Sequence, residues 1–187
     1  MKTANRKFIM PITKQTIAII GADSHTGSVV AKNIAGGNYR LLLFSDDVSN
    51  VQPLAEEIMQ SDSSADIDID VRDCQFEACW EADIIFMAIP YSDYKPVAKK
   101  IKKVATQKIV ISISSETGAT EKLHRLLPNS KIVKIFNADF TQPIINHEQA
   151  KVTISGDNAK AVEIVSELLK TAGFAPTVTE NLETVRI

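Results

Sequence analysis

Between Thr16 and Gly27 the chain reads TIAIIGADSHTG. A short apolar run ends at Gly21. Ala22, Asp23, Ser24, His25 and Thr26 follow, and Gly27 precedes a helical pattern that opens Ser28-Val29-Val30-Ala31. A buried strand, a glycine-punctuated turn and a helix entered at its N-terminus make the first half of a phosphate-binding βαβ unit. Backbone N–H groups at such a helix start lack intrahelical partners and carry partial positive charge. The chemistry they suit is retention of a pyrophosphate. Gly21 and Gly27 are the outer glycines of a G-x-x-G-x-x-G variant whose middle position is Ser24. The Ser24 hydroxyl either donates to a phosphate oxygen or belongs to a tight turn that holds no ligand. His25 faces either the phosphate or solvent.

Three further places carry groups of the right type. Ser45 and Asp46 close the second apolar run, and Asp46 lies 19 residues after Gly27. An acidic residue there accepts hydrogen bonds from ribose hydroxyls and repels a 2′-phosphate, which favours NAD(H) over NADP(H). The alternative is that Asp46 and Asp47 are solvated turn residues. Ile89 and Pro90 end a strongly apolar stretch and are expected near the nicotinamide; Tyr91 or Tyr94 packs either on a ligand ring or in the core. Asn137 either holds an amide of substrate or nicotinamide, or caps a polar loop. No nucleophile–base pair is visible. His25, His124 and His147 sit in unrelated segments, so no metal site is expected. Cys74 and Cys79 match no zinc or redox spacing and read as reduced, partly buried thiols.

The elements that must position these residues alternate along the chain. Strands are expected at 17–20, 40–44, 65–71, 83–89, 108–113, 131–136, 151–155 and 177–179. Helices are expected from about Ser28 to Ala35, Pro53 to Gln60, Gln75 to Glu81, Lys95 to Val104, then around Leu123, and after Asp157 as N-cap. This order predicts a doubly wound, mainly parallel α/β sheet in one domain over 16–187, behind an N-terminal tail over 1–15. The 65–71 segment alternates Ile67, Ile69 and Val71 with Asp66, Asp68 and Asp70, as a half-exposed edge strand would. The crevice should lie at the carboxyl ends of the first and fourth strands. A formal net charge of -2 over 187 residues gives no basic footprint for nucleic acid. No apolar run reaches the roughly 20 residues that span a bilayer, and the chain reads as cytoplasmic.

Together these segments resemble the coenzyme F420-dependent NADP oxidoreductases, with related folds in the STEAP reductase domain and the N-terminal domain of pyrroline-5-carboxylate reductases. IAIIGADSHTGSVVAKNIA resembles the family's first βα unit, LLLFSDD its second strand and cofactor-selecting turn, EADIIFMAIP its fourth strand, and KIVKIFNADF its sixth. VTISGDNAKAVEIVSELLKTAGFAPTVTENLETVR resembles its closing strand–helix–strand. The resemblance implies an NAD(P)-binding Rossmann fold. It also implies hydride transfer between NADP or NAD and a second redox partner: a flavin, a deazaflavin or another small acceptor. Such a reaction orients two rings and needs no acid–base residue. A non-catalytic nucleotide-binding or sensor module is the alternative. The sequence departs from the family at Ser24, where the family has glycine, and at Asp46, where it has an arginine for the 2′-phosphate. The family continues beyond the position of Arg186 into a helical segment that completes the deazaflavin pocket and the dimer, so a homodimer is left open.

Overall fold

A computed structural model describes residues 14–61, 67–114, 116, 118–136 and 150–179. Eight strands form one sheet in the order β3-β2-β1-β4-β5-β6-β7-β8. They are β1 Gln15–Ile20, β2 Tyr39–Phe44, β3 Asp68–Arg72, β4 Ile84–Met87, β5 Ile109–Ser112, β6 Lys131–Phe136, β7 Ala150–Gly156 and β8 Phe174–Val178. The six helices among the described residues are α1 His25–Ala35, α2 Gln52–Ser61, α3 Gln75–Glu81, α4 Tyr94–Ile101, α5 Ala119–Leu126 and α6 Ala159–Thr171. Strands β1 to β6 pair with one another in parallel; β7 runs antiparallel to β6, and β8 parallel to β7. The sheet is the doubly wound α/β architecture that the alternating pattern predicts.

The apolar runs follow from burial on both faces, as in parallel sheets covered by helices. In β1, Ile17 and Ile19 point to one core and Ala18 and Ile20 to the other. The first core includes Val30 and Ile34 of α1, Ile58 of α2 and Val165 and Leu169 of α6. The second includes Cys79 of α3, Ile101 of α4 and Leu123 of α5. The two edges are β3 and β8. In β3 every residue is only partly buried, and β8 carries Pro176, a residue edges tolerate because no donor is needed there.

Several expectations shift. Helix α1 starts at His25 rather than Ser28, because Ser24 caps it. The cap of α6 is Asn158, whose side chain accepts from Ala161 N–H at 2.9 Å; Asp157 lies one residue too early. The last strand is Phe174–Val178 rather than 177–179. The aspartates of β3 are not simply solvated: Asp70 binds Arg40 of β2 at 2.7 Å, and Glu81 of α3 binds Arg40 at 3.0 Å and Arg72 at 3.1 Å. That network clamps the edge strand to β2 and α3. No helix among the described residues is long and apolar enough to cross a membrane.

Candidate functional site

The order β2-β1-β4 reverses chain direction of travel at β1, and the crevice outside the carboxyl ends of β1 and β4 is where open α/β sheets bind ligands. Gly21 ends β1 there with φ +80°, a left-handed conformation that glycine adopts without strain. A Cβ on Gly21 would stand 2.5 Å from the Ala88 carbonyl oxygen. The N–H groups of Gly21 and Ala22 both donate to the Phe44 carbonyl at 3.0 Å, which ties the loop to β2. Gly27 serves packing: a Cβ there would sit 2.2 Å from the Gly21 carbonyl oxygen, so only glycine lets α1 close onto the end of β1.

Ser24 is the N-cap of α1. Its Oγ accepts from Gly27 N–H at 3.0 Å and lies 2.7 Å from the Gly21 carbonyl and 2.9 Å from the Ala88 carbonyl. One hydroxyl hydrogen serves those two carbonyls, and donating it to a phosphate oxygen would give up both contacts. In this geometry the side chain shapes the loop and latches it to the Ala88 carbonyl just beyond β4. The backbone N–H groups of Asp23, His25 and Thr26 have no protein acceptor among the described residues. They are the donors this loop leaves for an anion.

Beside the loop lies a cleft of about 530 Å³. Gly21, Asp23, Ser24, Ser45, Asp46, Ile89 and Pro90 line it together. Four other sequence candidates do not line it: Ala22 and Gly27 are buried, His25 is exposed and Thr26 half-buried. Asn137 falls outside the described residues. The adjacent aspartates have separate roles. Asp47 caps a single 3-10 turn over Val48–Asn50, and hydrogen bonds from the Ser49 hydroxyl (2.6 Å) and N–H (2.9 Å) hold its carboxyl below the usual range. Asp46 has no hydrogen-bond donor among the described residues and faces the cleft. Three carboxylates, Asp23, Asp46 and Asp93, and one ammonium, Lys100, line that cleft.

Neither tyrosine is a free ring platform. Tyr94 is fully buried and shares a 2.8 Å hydrogen bond with Ser112 Oγ; burial pushes its hydroxyl pKa up, and the Ser112 contact opposes this. The Tyr91 ring has Lys122 Nζ 3.7 Å above its centroid, and that ammonium also donates to the Tyr91 carbonyl at 3.0 Å. The cleft gains residues that the sequence reading passed over: Gln75 from α3, and Pro96, Val97 and Lys100 from α4. Lys100 belongs to the polar face of a visible amphipathic pattern, which signals exposure but not which ligand it adjoins.

The model of the family described as NADP oxidoreductase, coenzyme F420-dependent, matches residues 16–116. N-acetyl-gamma-glutamyl-phosphate reductase of Xanthomonas oryzae pv. oryzae is 27% identical over 109 residues, covering 57% of this chain. The match covers only 34% of that protein's length. A solved protein of Arthrobacter sp. FB24, described as an F420-dependent NADP-reductase, superposes with TM-score 0.66 at 17% identity, covering 87% of this chain and 82% of that one. Pyrroline-5-carboxylate reductase of Coxiella burnetii gives TM-score 0.71 at 15% identity, covering 91% of this chain and 60% of that one. At these identities the structural likenesses establish the fold.

Proposed function

The chain belongs to the coenzyme F420-dependent NADP oxidoreductase family, and from that premise we propose that it binds a nicotinamide dinucleotide, NADP(H) or NAD(H), in the cleft at the ends of β1, β2 and β4. When bound, that cofactor would supply hydride to, or take it from, a second flat redox partner such as a flavin, a deazaflavin or another small acceptor. The observation that carries this reading is the set of N–H groups of Asp23, His25 and Thr26, without a protein acceptor among the described residues, beside a cleft running to Ser45 and Asp46 on one side and Ile89 and Pro90 on the other. Backbone donors fit the pyrophosphate, because the cleft's side chains offer little positive charge to attract it. Asp46, with no donor of its own, is free to accept from the ribose hydroxyls. Ile89 and Pro90 give an apolar flank where the nicotinamide would be oriented, and orientation is what direct hydride transfer requires of the protein. Asn137 stays a candidate for holding its amide. A cytoplasmic setting, a small-molecule redox substrate and a homodimer belong to the same proposal.

Calorimetric titration with NADH and NADPH is the first test. Binding of either with a dissociation constant below about 1 mM supports the reading; no binding of either at that concentration sinks it. The Asp46 assignment has its own check: Asp46→Arg should shift preference toward NADPH by about tenfold or more, by removing repulsion and adding a phosphate partner. Stopped-flow absorbance at about 340 nm with flavin and deazaflavin acceptors then separates hydride transfer from binding alone.

A further inference from the structure

Gln75 opens α3, three residues beyond the end of β3. The residue is only 5% exposed, yet it forms part of the wall of the cleft. Its amide nitrogen is itself closed to solvent and has no hydrogen-bond partner among the described residues, so a turn of the side chain presents it to the cleft. Buried side-chain amides ordinarily pair, and a specific exception calls for an explanation. The surrounding wall supplies one. Phe44, Pro96 and Val97 give apolar surface, while Asp46 marks the side where β2 ends. Apolar walls around one unsatisfied amide match a flat ring with a mixed donor and acceptor edge.

We propose that the Gln75 side chain turns into the cleft and reads the base of the dinucleotide, pairing its amide with the adenine edge that carries N6 and N7. This rests on the dinucleotide reading above. A primary amide presents N–H and C=O side by side. Against adenine the carbonyl accepts from the N6 amine and the N–H donates to N7, the pairing glutamine makes with adenine elsewhere. Hypoxanthine carries an O6 acceptor in place of the amine. Its edge then offers two acceptors, and the amide satisfies only one.

The test compares NADH with its hypoxanthine analogue, nicotinamide hypoxanthine dinucleotide in the reduced form, on wild type, Gln75→Leu and Gln75→Glu. Wild type should bind the adenine form about tenfold more tightly. In Gln75→Leu, NADH affinity should fall by about the same factor and the base preference should approach one. Gln75→Glu keeps the acceptor for N6 but faces N7 with a second acceptor, so it should also lose NADH affinity. The melting temperature of ligand-free Gln75→Leu should hold or rise, because an unpaired amide is replaced by an apolar group of similar size. A structural glutamine would give the opposite, a lower melting temperature with base preference intact, and that result overturns the proposal. Equal affinity of wild type for the two bases overturns it while leaving the dinucleotide reading in place. Binding of neither nucleotide removes both.

Discussion

At the scale of the residue, Ser24 shows how one substitution in a glycine motif can change the job of a position. The middle glycine of such a loop lets backbone approach a pyrophosphate. Here the side chain turns inward, caps α1 and reaches the Ala88 carbonyl at 2.9 Å. Ser24→Ala should therefore cost about 0.5–2 kcal/mol of stability, the usual range for a lost N-cap, and Ser24→Gly only a few tenths. Urea unfolding measures both. Dinucleotide affinity of Ser24→Gly should stay within about threefold of wild type, since the hydroxyl hydrogen is engaged by carbonyls. A collapse of affinity with unchanged stability would show that the hydroxyl meets the phosphate after all. The cap was readable in advance: serine just before a helix is an N-terminus signal. The glycine spacing drew attention to the backbone instead.

At the scale of the element, β3 and α3 carry the features that the sequence displayed only in part. The alternation of Ile69 and Val71 with Asp68 and Asp70 announced an edge strand. It could not say which cations the aspartates meet, because that depends on the register Arg40↔Asp68 across β2 and β3. Nor could the first residue of α3 be read as buried, since Gln75 is enclosed by elements far away in the chain. Buried runs such as LLLF and IIFM were legible because both faces of the sheet demand apolar residues. The clamp on this edge predicts that Glu81→Gln lowers stability by about 1 kcal/mol at low salt, and by less in 1 M NaCl, where screening acts within about 3 Å. Equal losses at both salt concentrations would mean that Glu81 acts by packing rather than by charge.

The same helix buries Cys79, and burial pushes its thiol from the ordinary value near 9.0 up to about 12, with the Lys108 ammonium opposing this. The folded thiol pKa is raised, so the folded state holds its proton more tightly. Its contribution to stability is complete below pH 9 and is lost as pH rises from 9 toward 12. On the order of 4 kcal/mol is at stake across that window. Unfolding by urea between pH 7 and 11 should show the decline above pH 9, and Cys79→Ala should flatten it. A decline of equal steepness in Cys79→Ala would assign the alkaline loss to other groups. At pH 8 the half-buried Cys74 should be alkylated first, with Cys79 protected until the protein opens.

At the scale of the whole molecule, the cleft draws its walls from β1, β2, the segment just after β4, α3 and α4 at once. Those elements come from both halves of the sheet and from the two ends of the 16–116 match. A ligand that touches them together binds only the folded chain, so binding and folding are linked. At 100 times its dissociation constant, a dinucleotide should add about 2.7 kcal/mol to stability. For a domain of this size, about 2–4 °C in melting temperature accompanies each kcal/mol. NADH or NADPH at that level should then raise the melting temperature by about 5–10 °C. On the proposed placement adenosine monophosphate would reach the Asp46 and Gln75 end alone and should reproduce part of the shift at its own saturating concentration; nicotinamide mononucleotide should give less, because Ile89 and Pro90 would offer it apolar contact but few described polar partners. If the mononucleotides shift the melting temperature equally and the full dinucleotide adds nothing to either, the cleft does not act as one continuous site. An adenylate-dominated shift would instead place the recognition of the cofactor at the ends of β2 and β3, where its carboxylate and its unpaired amide stand.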